Sequence, residues 1–241
     1  MGRAAAPAMN GMSARLVRLL TGLFLYGFTM AMMVESTLGL DPWDVFHEGL
    51  AERLPLSFGQ VVILVGAVVL LLWIPLRQRP GIGTVLNVIV IGLAADFGIA
   101  VIAQPDELWL RSLLLIGGVV GNGFAGALYI GARLGSGPRD GLWLGLVRRT
   151  RYSVRFWRTA IELTVLAAGF LLGGTVGFGT VLYALTIGPI VQFFLPRVEV
   201  AGPAGAVGGP QASSGTILSR APAAVESGTG PTPSAGTGDA E

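Results

Sequence analysis

The sequence predicts an all-α integral membrane protein. Six transmembrane helices form two inverted three-helix repeats, each with a short, non-spanning Pro-x-Asp helix. Three observations lead there. The chain is 52% hydrophobic and 12% charged, with a mean hydropathy of +0.69, a balance that belongs to membrane proteins and not to soluble domains. A motif occurs twice: Leu38-Gly39-Leu40-Asp41-Pro42-Trp43-Asp44 and Leu134-Gly135-Ser136-Gly137-Pro138-Arg139-Asp140, each followed by an apolar span and then Gly-x-Gly-Thr, at Gly81 to Thr84 and Gly177 to Thr180. The register, about 96 positions, holds without a gap from Gly22/Gly118 to Phe97/Phe193, as an internal duplication requires. Third, the arginines sort into alternate loops, which sets the orientation of the spans.

Taken in order, residues 1–14 read as a disordered N-terminal tail, 15–104 as the first membrane repeat, 105–197 as the second and 198–241 as a disordered C-terminal tail. Leu16 to Val34 is an apolar run of about 19 residues, enough to cross a hydrocarbon core of about 30 Å. Its basic start also suits a signal peptide, but the run aligns with the internal segment Gly118 to Arg133, which cannot be one. Asp41 before Pro42 is an N-cap followed by a first-turn proline, so a short helix begins there and runs to about Leu54. At roughly 20 Å it is too short to span, and its charged residues place it on the surface or part-way into the protein. Helix 2 is read from Gly59 to Leu76, closed by Arg77-Gln78-Arg79-Pro80, and helix 3 from Gly81 to Ala103. The second copy repeats the plan, with helix 4 over Leu113 to Ala132, a short helix from Pro138, helix 5 over Trp157 to Leu172 and helix 6 over Thr180 to Leu195. Beyond Pro196 the chain turns to Gly, Ala, Pro, Ser and Thr, too few apolar groups to offset ordering.

Arg3, Arg15, Arg18, Arg77, Arg79, Arg133, Arg139, Arg148, Arg149, Arg151 and Arg155 fall in loops of one parity, while Asp41, Asp44, Glu48, Glu52, Asp106 and Glu107 fall in the other. Both termini are therefore expected in the cytoplasm, and the protein in the cytoplasmic membrane. Three spans per copy is an odd number, so the second copy enters from the opposite side to the first.

Ionisable residues inside the spans are few. Asp96, near the middle of helix 3, has no evident local partner and aligns with Gln192, which makes it the leading transport carboxylate. Arg158 and Glu162 have the spacing of a structural ion pair on one helix face. Asn87 and Tyr183 occupy equivalent sites in helices 3 and 6 and are candidates to line one cavity. Asp44 and Asp140 are either caps of their own short helices or carboxylates facing a polar cavity. Gly81, Gly83 and Thr84, with Gly177, Gly179 and Thr180, either leave free N–H groups for a substrate or make a tight, capped and closely packed helix start; the second is favoured because small residues serve membrane helix contacts. His47, the only histidine, reads as a solvated side chain on the exposed face of its helix.

The absence of cysteine removes thiolate chemistry and cysteine metal sites. No metal cluster, cofactor motif, phosphate loop or nucleophile–base set is present, so the chain is expected not to be an enzyme and to need no cofactor. The pI near 9.5 comes from arginines spread over loops, without a platform for nucleic acid.

At Leu-Gly-x-x-Pro-x-Asp, at Gly81-Ile82-Gly83-Thr84 and at Gly135-Ser136-Gly137-Pro138-Arg139-Asp140-Gly141-Leu142, the chain resembles the YczE-like bacterial membrane proteins, often grouped with the YyaS and YitT families. The resemblance covers about residues 16 to 196 and implies a multi-pass inner-membrane protein without an agreed substrate and with no catalytic residues to carry over. Within the duplicated motif the copies differ at Trp43 and Arg139, so the two need not do the same job. The expected activity is movement of a small molecule or ion across the cytoplasmic membrane, because paired interrupted segments in inverted repeats are the pattern of alternating-access transporters. The alternative is a non-transporting accessory or scaffold protein in which every polar group is satisfied by packing. The expected surroundings are the lipid bilayer and a small-molecule or ion substrate, without nucleic acid; a homo-oligomer is compatible with the sequence but not specified by it.

Overall fold

The computed structural model describes residues 11–199. The expected tails, up to residue 10 and from residue 200, lie outside the described residues. Eight helices and no strand occur among the described residues: α1 Met12–Ser36, α2 Pro42–Ala51, α3 Phe58–Leu76, α4 Ile82–Val101, α5 Leu108–Gly131, α6 Pro138–Val147, α7 Val154–Leu172 and α8 Phe178–Val198. Five of them, α1, α3, α4, α5 and α8, are long and apolar enough to cross a membrane. The 19-residue α7 has the length but carries Arg155, Arg158 and Glu162.

Helix ends follow local chemistry. Asp41 accepts the amides of Trp43 and Asp44 and Pro42 takes the first turn of α2. Ser57 and Gln60 form a capping box on α3, and Ser153 accepts the Phe156 amide at the start of α7. α1 stops at Thr37 (φ 51°) before Gly39 (φ 114°), and the same pair of left-handed residues, Arg133 (φ 55°) and Gly135 (φ 146°), follows α5. Several boundaries differ from expectation. α1 takes in residues 12–14, α2 ends at Ala51 and not near Leu54, and α5 and α7 begin at Leu108 and Val154. Asp106-Glu107 thus does not extend to a long polar loop, and the apolar Leu108 and Trp109 enter the helix directly.

The helices pack in two groups. α4, α1, α5 and α8 lie side by side in that order, and α2, α3, α6 and α7 form a second group joined to the first mainly where α3 meets α4. α1 and α5 run antiparallel at close approach: a Cβ on Gly22 would fall 2.7 Å from the Tyr129 amide, and one on Gly118 would fall 2.7 Å from Met33 Cγ. Only glycine admits this spacing.

Contacts recur at the offset of the sequence duplication. The Gly83 amide donates to Leu134 O at 3.0 Å and the Gly179 amide to Leu38 O at 2.8 Å. Gly49 lies against Leu172 and Gly174, and Gly145 against Leu76 and Gln78. One relation is broken. α3 and α4 are tightly joined, with Gly59 against Gly92 O and Gly66 against Val88, whereas α7 and α8 barely touch and a Cβ on Gly188 would meet nothing within 4 Å. The cause lies in the residues: Arg155 and Glu162 stand at the positions equivalent to Gly59 and Gly66.

Candidate functional site

The polar residues that gather are those of the two short helices. α2 is sunk into the protein, not laid on its surface, with Trp43, Asp44, Val45, His47 and Gly49 all buried. Its N-terminus meets that of α6. Arg139 reaches across to the other half of the chain, with Nη1 3.7 Å from Asp41 Oδ1 and Nη2 3.6 Å from Asp44 Oδ1. Its guanidinium stacks over Trp43, 4.9 Å from the ring centre. Asp41 is 2% exposed and Asp44 fully buried, while the Arg139 side chain keeps 26% of its surface open. This arginine is the one route by which the cluster reaches solvent among its charged members.

His47 is a correction. It is 2% exposed, lies edge-on to Phe58 and has Nδ1 3.1 Å from Asp44 Oδ1. Burial drives its pKa down to about 3, with Arg139 acting in the same direction, so the ring is neutral and donates to Asp44. Burial pushes Asp41 up to about 7, the charge of Asp44 adds to that, and Arg139 opposes it. Asp44 is also raised by burial against the pull of Arg139. Arg139 itself is disfavoured by burial but held charged by the two carboxyls. Asp41 Oδ2, Asp44 Oδ2 and Trp43 Nε1 are buried without a hydrogen-bond partner.

A tyrosine seam extends from this cluster. The Tyr183 hydroxyl donates to Asn122 Oδ1 at 2.9 Å and lies 3.4 Å from the Tyr26 hydroxyl, and Asn122 Nδ2 donates to Tyr26 O at 3.3 Å. Tyr26 packs edge-on against Tyr129. A Cβ on Gly137 would stand within 3.5 Å of both the Tyr129 hydroxyl and Asp140 Oδ2 and 3.9 Å from Asn87 Nδ2. Asp140 is raised to about 6 by burial, opposed first by Arg158, so Arg158 lies within electrostatic reach. Tyr183 thus bonds Asn122 beside Tyr26, while Asn87 lies near the Gly137 corner with Tyr129 and Asp140.

The remaining expected residues have local duties. Asp96 has a partner after all: its Oδ1 accepts the Gly59 amide at 2.7 Å and its Oδ2 the Ser57 hydroxyl at 2.5 Å, which ties the end of α4 to the start of α3. Asp44 does not cap its own helix, since Asp41 does. Thr84 and Thr180 accept the amides of Gly81 and Gly177, and the Gly83 and Gly179 amides are taken by the facing loops. The glycine-rich starts are thus closely packed helix ends whose glycine amides are already taken. Arg158 and Glu162 pair at 2.9 Å as expected. A shallow apolar depression at the start of α5, lined by Leu108, Trp109 and Leu113, carries no ionisable group. By sequence Arg139 is one of the loop arginines; the signal that marks it is its alignment with Trp43, the residue on which it stacks.

The buried carboxyls tie stability to pH. With its folded pKa raised from 3.8 to about 7, Asp41 contributes stability that is fully present below the lower value and lost as pH rises through the upper. Asp140 and Asp44 act in the same direction. His47, lowered from 6.5 to about 3, acts oppositely: its contribution is in place above 6.5 and lost as pH falls towards 3. The carboxyls outnumber it. The thermal midpoint of the purified protein in detergent is expected to fall between pH 5 and 7.5, at up to about 1.4 kcal/mol per pH unit and group. Asp41→Asn, which keeps the cap, should flatten the fall.

Residues 13–196 match the family described as "Family of unknown function (DUF6198)". An uncharacterized protein of Haemophilus influenzae is 42% identical over 73% of this chain and 81% of its own length. Two Bacillus subtilis proteins also match: the uncharacterized membrane protein YczE, 35% identical over 73% of this chain and 83% of its own, and the uncharacterized protein YyaS, 26% identical over 74% and 90%. No solved structure matches the chain.

Proposed function

The chain belongs to the DUF6198 family and is a YczE-like membrane protein, and from that premise and the buried Arg139–Asp41–Asp44 cluster we propose that it carries a small solute or ion across the cytoplasmic membrane by alternating access. In this reading it has six spans, counting α7, and both termini are cytoplasmic. The two repeats are inverted. The short helices enter from opposite faces, and their N-termini meet at the substrate site. The single observation that carries this is that Arg139 of the second copy reaches the carboxyls of the first, at the place where interrupted helices of inverted-repeat transporters hold their substrates. The paired antiparallel contacts of α1 with α5, and of the two glycine-rich starts with the facing loops, support the inversion.

The broken relation between the halves supplies the two gates. At the outer end, Asp96 holds Ser57 and Gly59, and α3 closes on α4. At the inner end, α7 stands off from α8, and Arg158 and Glu162 are 38% and 32% exposed, with Arg158 in electrostatic reach of Asp140; this reading puts the inward path there. In this reading the protein is open inward and latched outward, and transport exchanges the two arrangements.

Single cysteines test this on the naturally cysteine-free chain. Ala184→Cys, on the open side, should react with a membrane-impermeant maleimide from the cytoplasmic face. Val88→Cys, its buried equivalent, should react only from the outer face, slowly, and at least about fivefold faster when Asp96→Asn releases the latch, a change of about 1 kcal/mol in the gate equilibrium. A Val88→Cys thiol that stays unreactive in both backgrounds contradicts alternating access. It would favour the accessory reading, to which one observation already points: Asp96 and Glu162 each have an internal partner.

A further inference from the structure

We propose that the Arg139 cluster is a proton-linked binding site for a monovalent oxyanion, in which the anion docks on the guanidinium of Arg139 and one proton from water joins the Asp41–Asp44 pair. This rests on the site assigned above but not on transport itself.

The geometry favours an anion. Arg139 is in ion-pair range of both carboxyls, at 3.6–3.7 Å, yet outside direct hydrogen-bond distance. At that distance the two carboxyls hold its planar fork of donors only loosely, Asp44 the more directly, and one face is stacked on Trp43. The Arg139 side chain keeps 26% of its surface open, and an accessible guanidinium offers the paired donors suited to a carboxylate-like group. The indole of Trp43, on which the guanidinium stacks, has a buried Nε1–H without a partner. A metal cation would instead have to sit beside the arginine.

Charge balance supplies the proton. Arg139 contributes one positive charge and the two carboxyls up to two negative ones. The groups facing the pair are Tyr26 of α1, Tyr183 of α8, and His47 and Glu48 of α2, with apolar Phe58 from α3. His47 is neutral, and Glu48 is occupied by the Thr175 amide. In a site so little hydrated, bringing in an anion without a compensating charge is costly. The buried, unpartnered Oδ2 atoms of Asp41 and Asp44 are where a proton can go. Burial, which raises Asp41 to about 7 and Asp44 in the same direction, favours that uptake. On release of the anion the proton returns to water, so nothing is consumed and no bond other than O–H is made or broken.

The test uses the full-length protein in detergent micelles with sodium formate and sodium nitrate as probes, in calorimetric titrations run in two buffers of different ionisation enthalpy. Saturable formate binding is expected at pH 8, with about one proton taken up per anion and an affinity about tenfold weaker than at pH 7. Arg139→Lys, which keeps the charge but not the fork, should weaken binding at least tenfold. Asp41→Asn should bind with less than a twofold difference between pH 7 and pH 8. Nitrate should bind in the same way but without dependence on its own protonation. No saturable heat from either anion, binding without proton uptake, or binding unchanged in Arg139→Lys overturns the proposal. If the gate-labelling result holds while these fail, the transport reading survives and only the anion assignment falls.

Discussion

Arg139→Gln should be the most damaging single polar substitution in the molecule. Removing the guanidinium leaves Asp41 and Asp44, 2% and 0% exposed, without their counter-charge. Breaking a buried pair in this way costs about 3–5 kcal/mol, because the remaining charge must be desolvated or take up a proton. The expected outcome is a large loss of folded, monodisperse protein at pH 8, with partial recovery at pH 5.5, where the carboxyls are neutral. Adding Asp44→Asn to Arg139→Gln should restore much of the loss, since the orphaned charge is then gone. Thermal unfolding of the single and double variants in detergent measures both effects. Equal loss in the two would mean that Arg139 matters for its packing on Trp43 and not for its charge.

Gly27→Val should be comparably severe, for a steric reason. A Cβ there would lie 2.2 Å from Ile91 O and 2.8 Å from Ala94 Cβ, so α1 would have to move away from α4. Backbone cannot rotate out of the way as a side chain can, and overpacking of this kind costs about 3 kcal/mol. The matched comparison is Gly188→Val, where a Cβ meets nothing within 4 Å. Folding should survive it, with a midpoint within a few degrees of the parent. In the alternating-access reading it should also stop α7 from closing on α8, so that Val88→Cys no longer reacts from the outer face. A well-folded Gly27→Val protein would show that the α1–α4 approach is looser than the structure has it.

The helices and their duplication were legible because both signals are local. Runs of apolar residues mark spans, Asp41-Pro42 and Ser57 mark helix starts, and a fixed register needs only the chain itself. The site was not, because its charges meet across the fold. Asp44 shows a possible cap and Arg139 a loop arginine when each is read in its own segment; only the packing of α2 against α7, and of α6 against α3, brings them together. His47 reads as solvated in the sequence for the same reason: its burying neighbours Trp43 and Phe58 lie partly in another helix. Asp96 shows no partner in its own segment because Ser57 and Gly59 are far from it in the chain. Within inverted repeats, however, equivalent residues near the axis face one another, and the contact between Trp43 and Arg139, or between Tyr26 and Asn122, follows from the alignment alone once the inversion is granted. Positions where the copies differ near that axis are therefore the ones to examine first.

The inversion itself is tested most directly by two single cysteines at equivalent, exposed loop positions, Leu56→Cys and Tyr152→Cys, 36% and 58% exposed. Each is labelled in intact, inverted and permeabilised vesicles with a maleimide that does not cross the membrane. Labelling of residue 56 from outside and residue 152 from the cytoplasm is the expected result. Labelling of both from the same side would contradict the inverted arrangement, and with it the meeting of the two short helices from opposite faces.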